Sequence, residues 1–498
     1  MPDIDRIRFT RQLSTLVAAF AFAAALPAQD VTVAVADSLP AMSRAALGAA
    51  RADASERRFA SFGAFADDLR RVYGDGDLEL LWTRAGTPTS AARAAVASLQ
   101  RLGERGLDPA AFDVSRITAL AASSLRSEDE RFEFDALLSM ASLRTLRALH
   151  GVRDGKDDGV RGSGDGKTGS ADHRGIGGRP RALPDSARAA AALATAPGAF
   201  TTTLRALAAS TRADSIFDAA EPASAQYQLL KASLGTYRTL ASRDPVAQGQ
   251  LERIVATLDR ARTHRDDDLT AGVVVNIPEF RLHAAGGRGA ADTLAMNVVV
   301  GVAGLHRTPE MRDSIRYLVF APYWEVPASI VRSELLPIGR RDPRLLTLNN
   351  FQILDRRGRV LPATAKSVKL VAAGRARIRQ LPGGTNSLGR VKFMFPNSED
   401  IYLHDTPTRK DFARYRRDQS HGCVRVGDPG ALARFLLSDQ PEWTAERIEA
   451  AMNGSAPVTV KLTKAIPIRL TYETAVARAD GSIDFFDDVY GLDTSARP

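Results

Sequence analysis

The feature that most constrains the fold of this 498-residue chain is a change of hydrophobic period near Thr270. Before this point, apolar residues recur every three or four positions, as in Ala91–Leu102 and Gln226–Leu240, which predicts amphipathic helices. After it, short β-branched or aromatic runs alternate with Pro and Gly, which predicts strands and turns. The sequence therefore predicts a multidomain α + β protein with a helical N-terminal half and a mostly β C-terminal half.

The predicted domain boundaries follow from this change. The helical domain is predicted over 57–268, with a disordered loop at 151–180, where Gly, Asp, Lys and Ser replace the apolar pattern. The β domain is predicted over 269–478, with an insertion or lid at about 327–382 and a C-terminal tail at 479–498. Phe134–Leu149 has helical spacing before the loop, and Gln226–Leu240 and Val246–Ala261 are the clearest helices after it. The predicted strands are Val273–Ile277, Phe280–Ala284, Ala295–Val300, Tyr317–Phe320 and Val391–Phe395.

The N-terminus has the order of segments of a secretory signal, with basic residues first, then an apolar run and then small residues. Arg6, Arg8 and Arg11 precede the apolar run Leu13–Leu26, and small residues follow it. The run is shorter than the roughly 20 residues that a membrane-spanning helix needs. We therefore predict a signal peptide at 1–28, a linker at 29–56 and export to the periplasm or cell wall. An uncleaved anchor and a buried N-terminal helix are the alternatives, and no later segment predicts a transmembrane span.

The net charge of +9 and the pI of about 9.8 indicate an anionic partner. Arginines are spread along the chain, without the aromatic-flanked basic cluster that single-stranded nucleic-acid platforms use. We therefore expect no nucleic-acid partner, while an anionic membrane or cell wall remains compatible with the charge.

The only cysteine, Cys423, is a candidate nucleophile. A lone cysteine excludes an intrachain disulfide and is either a reactive thiol or a small buried apolar residue. Ile401–His404 reads as a strand end, and strand alternation places Tyr402 and His404 on one face. His404 and His421 therefore lie close to Cys423 in the sequence. The thiolate is the nucleophile and the usual pKa of the thiol is about 8.5, so a neighbouring imidazole can remove the proton or stabilise the negative charge.

The backbone around the cysteine suits acyl transfer. Gly422 permits tight geometry, and the amides of Gly422 and Cys423 could form an oxyanion hole. A metal site from two His, Cys423 and Asp405 is the alternative, but the close ligand pair typical of zinc is absent from the sequence. The second alternative is a buried cysteine with only a structural role. We expect no metal and no cofactor, and the residues by themselves predict a cysteine acyl-transfer enzyme.

His404 followed by Ser420-His421-Gly422-Cys423-Val424-Arg425 resembles the signature of the L,D-transpeptidase catalytic domain, also called the YkuD domain. Further segments resemble the large, multidomain branch of that family, whose helical part is a scaffold domain: Val275–Pro278, Arg316–Phe320, Pro322–Pro327 and Ile401–Pro407. One departure concerns the peptidoglycan-binding module common in that branch. The residues between Tyr237 and Val273 are too few to hold such a domain.

The resemblance implies peptidoglycan L,D-transpeptidation, in which a cysteine thioester of one stem peptide is resolved by an amine of a second to give a 3-3 cross-link. It implies Cys423 as nucleophile, His404 as general base and acid oriented by the Asp405 carbonyl, and His421 as support. Water as acceptor would give an L,D-carboxypeptidase or a wall-protein hydrolase, and a non-catalytic wall-binding scaffold is an alternative from another class. A carbapenem is expected to add covalently to Cys423.

The flanking residues are open to two interpretations. Tyr402 and Trp324 could line the substrate groove, although aromatic residues on strands are also frequent in the core. Arg425 could hold a substrate carboxylate or brace the cysteine loop, and we favour bracing.

Overall fold

The computed structural model describes residues 66–73, 80–152, 199–264, 271–286, 294–304, 306–478 and 480–493. The predicted signal peptide and linker at 1–56 lie outside the described residues, as does most of the predicted loop at 151–180.

The N-terminal part is helical. Its helices are α1 Ala66–Tyr73, α2 Ser90–Gln100, α3 Val114–Ala122, α4 Glu128–Leu149, α5 Ala199–Ala208, α6 Ala213–Ala220, α7 Ala225–Ala241 and α8 Pro245–His264. Two short antiparallel strands, β1 Thr83–Arg84 and β2 Thr87–Pro88, precede α2. Ser127 begins α4 with a capping box, because its side chain accepts from Glu130 N–H while the Glu130 carboxylate accepts from the N-cap N–H. The predicted helices are confirmed.

Helix α4 is buried along most of its length and carries the acid Asp135 into the interior. Asp135 accepts hydrogen bonds from Tyr73 Oη at 2.7 Å and from Trp82 N–H at 2.7 Å. Burial raises the pKa of Asp135 to about 6. These bonds satisfy the buried carboxyl and tie α1 and the residues before α2 to α4.

The C-terminal part is built on a closed sheet. Its strands are β3 Gly272–Asn276, β4 Arg281–Ala285, β5 Leu294–Gly301, β6 Met311–Phe320, β11 Val391–Met394, β12 Leu403–His404, β13 Asp418–Ser420, β14 Val424–Val426 and β15 Val458–Thr471. Neighbouring strands follow the order β13-β5-β14-β12-β11-β6-β15-β3-β4, and the pairing of β4 with β5 closes the ring. A barrel-like sheet results, and the predicted fold class and strands are confirmed.

The apolar interior of this barrel fixes the strands that carry the site. Val424, Val426 and Leu403 are fully buried in it, and helices α13 Pro429–Leu436 and α14 Ala445–Met452 pack against it. Asp428 caps α13 by accepting from Ala431 N–H at 2.9 Å, and Pro429 occupies the first turn.

The region predicted as an insertion has a sheet and an apolar cluster of its own. The sheet has the order β7-β10-β8-β9, formed by β7 Trp324–Glu325, β8 Phe351–Asp355, β9 Val360–Leu361 and β10 Ala376–Gln380. Its helices are α9 Ala328–Ile330, α10 Leu336–Arg341, α11 Arg344–Leu348 and α12 Ala365–Ala372, with a π-helical turn at Val331–Leu335. We call residues 324–380 the insertion lobe.

The helical part and the chain after the barrel share a third cluster. Tyr227, Leu230 and Leu258 of α7 and α8 pack with Ala475 of strand β16 Ala475–Ala477, which pairs with β17 Ile483–Phe485. Tyr237 contacts Phe485 edge to face at 5.4 Å. None of the helices that the structure describes combines the length and apolar character needed to cross a bilayer.

Candidate active site

Cys423 lies in a tight loop between β13 and β14. Ser420 holds this loop from both sides, because its hydroxyl donates to Cys423 O at 2.6 Å and accepts from Gly422 N–H at 3.1 Å. Gly422 has φ +111°, and a Cβ there would lie 3.3 Å from Ile401 Cδ1. The loop conformation therefore requires glycine next to the cysteine.

The strand that carries His404 lies directly beside the cysteine loop. Strands β12 and β14 are parallel, with His404 opposite Arg425, and Val424 N–H donates to Tyr402 O at 3.1 Å. The rings of Tyr402 and His404 contact each other at 5.7 Å, whereas Ile401 and Leu403 belong to the barrel core. The predicted alternation of faces on this strand is confirmed.

His404 is buried, and its Nδ1 is hydrogen-bonded to the backbone oxygen of Asp405. A carbonyl can only accept, so Nδ1 carries the proton and Nε2 keeps a lone pair. Burial and the positive charge of Arg425 lower the pKa of His404 to about 3, against a smaller opposing effect of the Asp405 and Leu388 carbonyls. The imidazole is therefore neutral at working pH and able to accept a proton.

The thiol of Cys423 is also neutral in the resting site. Burial raises its pKa to about 11, although hydrogen bonds from the N–H and the phenol of Tyr402 favour the thiolate. The sulfur lies 3.7 Å from Asp400 O, and the negative charge of Asp400 further raises the thiol pKa. The resting pair is thus thiol and imidazole rather than thiolate and imidazolium.

Charged side chains brace the strand ends around this pair. Arg425 lies on the partly exposed face of β14 and contacts Asp411 at 3.3 Å, which places its guanidinium in a structural ion pair. The Asp405 carboxylate accepts from Arg390 N–H at 2.9 Å and pairs with Arg409 at 3.1 Å. The ion pair of Arg425 agrees with the prediction that this residue braces the cysteine loop. The Asp405 carboxylate is occupied by its contacts with Arg390 and Arg409.

The other two predicted side chains contact the insertion lobe. His421 Nε2 lies 3.1 Å from Glu334 Oε1 of the π-helical turn, and its ring lies 5.0 Å from that of His306. Trp324 is half-buried against the apolar cluster of the lobe, 6.3 Å from Phe351. The recorded contacts of Trp324 are therefore structural, and its place in a substrate groove stays a prediction.

Residues 270–460 match the family model of the L,D-transpeptidase catalytic domain. The chain carries the catalytic domain of the L,D-transpeptidase family. Residues 67–234 match the model described as the Scaffold domain. A Haemophilus influenzae protein, provisionally named an L,D-transpeptidase, is 35% identical over 227 residues, which cover 45% of this chain and 45% of that protein. The resemblance seen in the sequence is confirmed.

One backbone amide of this L,D-transpeptidase domain differs from the prediction. Gly422 N–H donates to Ser420 Oγ, so it is not free for an oxyanion. Among the backbone hydrogen bonds of the described residues, none is donated by Cys423 N–H. Cys423 N–H is therefore the better candidate for the oxyanion donor of the two amides that the sequence suggested.

Sequence reasoning missed three neighbours of the cysteine loop. Thr308 donates to Gly422 O at 2.7 Å, Glu334 contacts His421, and Asp400 faces the sulfur. Thr308 and Glu334 precede the motif by many residues, and no local pattern singles them out. Asp400 adjoins the predicted strand, and its left-handed φ of +55° indicates a tight turn there.

Proposed function

We propose that this protein is a peptidoglycan L,D-transpeptidase that forms 3-3 cross-links between stem peptides through a Cys423 thioester. The observation that carries the proposal is the parallel pairing of β12 with β14, which sets the neutral imidazole of His404 beside the cysteine loop. The family match supports the class of reaction. The chemistry of donor and acceptor comes from the resemblance to that family.

In the first step, His404 Nε2 accepts the thiol proton as the sulfur attacks the carbonyl carbon of the third residue of a tetrapeptide stem. The C–S bond forms while the carbonyl π electrons move to oxygen, where Cys423 N–H donates to the oxyanion. The oxyanion then collapses and breaks the amide bond. The terminal D-Ala leaves as an amine, which takes the proton from the imidazolium, and the stem remains as a thioester.

In the second step, the side-chain amine of another stem attacks the thioester carbonyl. His404 accepts a proton from this amine, and collapse of the second oxyanion expels the sulfur, which recovers the proton. The product is an amide between two stems. The same thioester attacked by water would release a tripeptide instead.

The two perturbed pKa values suit a proton transfer that is concerted with attack. A thiol with a raised pKa and an imidazole with a lowered pKa do not exchange the proton at rest, because both neutral forms are favoured. The hydrogen bonds from Tyr402 to the sulfur favour negative charge there as it develops. The small thiolate fraction of the resting enzyme therefore slows reaction with electrophiles such as iodoacetamide.

We further propose that the protein acts in the periplasm or cell wall. The N-terminal charge order supports export, and the net charge of +9 suits an anionic wall.

The test is incubation of the mature protein with purified tetrapeptide muropeptides, followed by mass spectrometry. Dimers of the 3-3 type support transpeptidation, whereas tripeptides without dimers would replace it with an L,D-carboxypeptidase. Unchanged muropeptides that nevertheless bind would favour a non-catalytic scaffold. Cys423→Ala should abolish both products, and either product from that variant would overturn the mechanism.

A further inference from the structure

The residues after the barrel reach back to the catalytic loop. The family match ends at residue 460, whereas the chain continues through β16 and β17 to the described residue 493. Val489 is buried in the barrel core, and Tyr490 and Leu492 pack against it. The segment predicted only as a tail is therefore part of the packed structure around the barrel.

Two groups hold this segment in place. Asp488 accepts from Tyr472 Oη and from Leu492 N–H, which fixes the turn that contains Tyr490. Arg260 of helix α8 pairs with Asp493 at 2.6 Å and lies over the Tyr472 ring at 5.2 Å. The segment is thus tied both to the barrel and to the last helix of the N-terminal part.

Tyr490 makes two hydrogen bonds beneath the cysteine loop. Its hydroxyl donates to Gly301 O at 2.6 Å and accepts from Thr308 N–H at 3.1 Å. Its ring stacks on Tyr472 at 5.5 Å, and its N–H donates to the Tyr472 hydroxyl at 2.8 Å. Burial raises the pKa of Tyr490 to about 12, so the phenol keeps its proton and can donate.

Thr308 transmits this support to the catalytic loop. Its buried hydroxyl accepts from Gly301 N–H at 2.9 Å and donates to Gly422 O at 2.7 Å. The peptide bond between Gly422 and Cys423 is planar, and in a trans peptide the C=O and N–H groups point in opposite directions. The bond from Thr308 to the carbonyl therefore also fixes the direction of Cys423 N–H.

We propose that Thr308 and Tyr490 are positioning residues for acyl transfer, which hold the Gly422–Cys423 peptide so that Cys423 N–H meets the oxyanion. This inference rests on the proposed function for its kinetic consequence, but its structural part does not. Thr308 acts through the Gly422 carbonyl, and Tyr490 acts through Thr308. The segment after the barrel then contributes to catalysis as well as to stability.

The test uses the full chain with two matched pairs of variants. Tyr490→Phe removes only the hydroxyl, and Tyr415→Phe is its control, because exposed Tyr415 donates to Asp487 near the same turn. Thr308→Val removes the bond to Gly422 O, and Thr308→Ser keeps a hydroxyl for rescue. Since Cys423 is the only cysteine, protein labelled with ¹⁵N-cysteine gives a single amide signal, which reports the peptide in question.

We expect Tyr490→Phe and Thr308→Val to shift the Cys423 amide signal and to lower kcat for muropeptide turnover by roughly tenfold or more at unchanged KM. Tyr415→Phe should match the wild type, and Thr308→Ser should restore most of kcat. The fraction of Cys423 alkylated by iodoacetamide at saturation should stay complete in all four variants.

Three results would overturn the inference. The first is an unshifted amide signal in both Tyr490→Phe and Thr308→Val, which decides the matter even if the wild type turns over no muropeptide. The second is a shifted signal with an unchanged kcat in an active enzyme. The third is a loss of kcat that only follows a loss of folded protein, measured by thermal unfolding. An inactive wild type with shifted variant signals would contradict the proposed function and leave the structural part standing.

Discussion

His404 is hydrogen-bonded through Nδ1 to the backbone oxygen of Asp405, the residue that follows it in the chain. A carbonyl cannot donate, so this contact selects the tautomer in which Nε2 is the acceptor. A backbone acceptor also adds no negative charge beside the ring. Burial and Arg425 therefore keep the imidazole neutral, and the site has a base whose orientation is set by the strand itself.

Substitution of His404 and of His421 in turn distinguishes the proposed base, His404, from the supporting histidine, His421. We expect His404→Gln to lower the rate of thioester formation by about 10²- to 10⁴-fold, the usual contribution of a positioned base. His421→Gln is the control, because half-exposed His421 contacts Glu334 and not the strand of the base. The rate is measured by single-turnover mass spectrometry of the acyl-enzyme. Equal losses in the two variants would refute the assignment of His404.

The lowered pKa of His404 also predicts the effect of acid on stability. The native state binds fewer protons than the unfolded state between the unfolded pKa of about 6.5 and the folded value of about 3, so the free energy of unfolding decreases as the pH is lowered through this window. For this one group, we expect a loss of about 3 kcal/mol from pH 7 to pH 4. Urea unfolding at both values should show a smaller loss for His404→Gln. An identical loss in variant and wild type would contradict the shift.

Asp400 controls the ionisation of the thiol. Its negative charge raises the Cys423 pKa, so Asp400→Asn should lower that pKa and speed alkylation by iodoacetamide at a fixed pH below it. Asparagine tolerates the left-handed φ of +55° at this position. Asp342→Asn, at a partly exposed acid in the insertion lobe, is the control. The measurement is the alkylation rate from pH 7 to pH 10, and a rate that is unchanged or slower would reject the electrostatic effect.

Substitution of Gly422 separates the effect of the loop geometry on activity from the effect of backbone strain on stability. Gly422→Ala and Gly383→Ala both place a side chain at a strongly positive φ, +111° and +134°, but only the first adds a contact, 3.3 Å from Ile401. We expect each to cost about 1–3 kcal/mol in free energy of unfolding, while only Gly422→Ala abolishes acyl transfer. Thermal unfolding and muropeptide turnover measure the two effects. Full activity in Gly422→Ala would show that the loop does not need this conformation.

A carbapenem should acylate the thiol by the same attack on a strained carbonyl. Intact mass spectrometry should show one adduct on the wild type and none on Cys423→Ala, and slower addition to His404→Gln. An unmodified wild-type mass after prolonged incubation would count against an activated and accessible thiol.

Local patterns in the sequence were sufficient for much of this structure. Helices and strands follow from hydrophobic period, because each element must bury one face or stripe. The motif around Cys423 and the strand that ends at His404 were also readable, since both depend on residues close together in the chain. The Asp405 carbonyl as the partner of His404 came from the resemblance to the family.

Tertiary structure alone decided what surrounds the cysteine loop. Closure of the barrel brings Thr308 to the Gly422 carbonyl, and the segment after the barrel brings the Tyr490 hydroxyl to the Thr308 amide. Thr308 precedes the cysteine motif in the chain, and Tyr490 follows it. It also gives Trp324 its packing in the insertion lobe and engages Gly422 N–H with Ser420. Such contacts join residues far apart in sequence or depend on the direction of one peptide plane, and hydrophobic period carries no information about either.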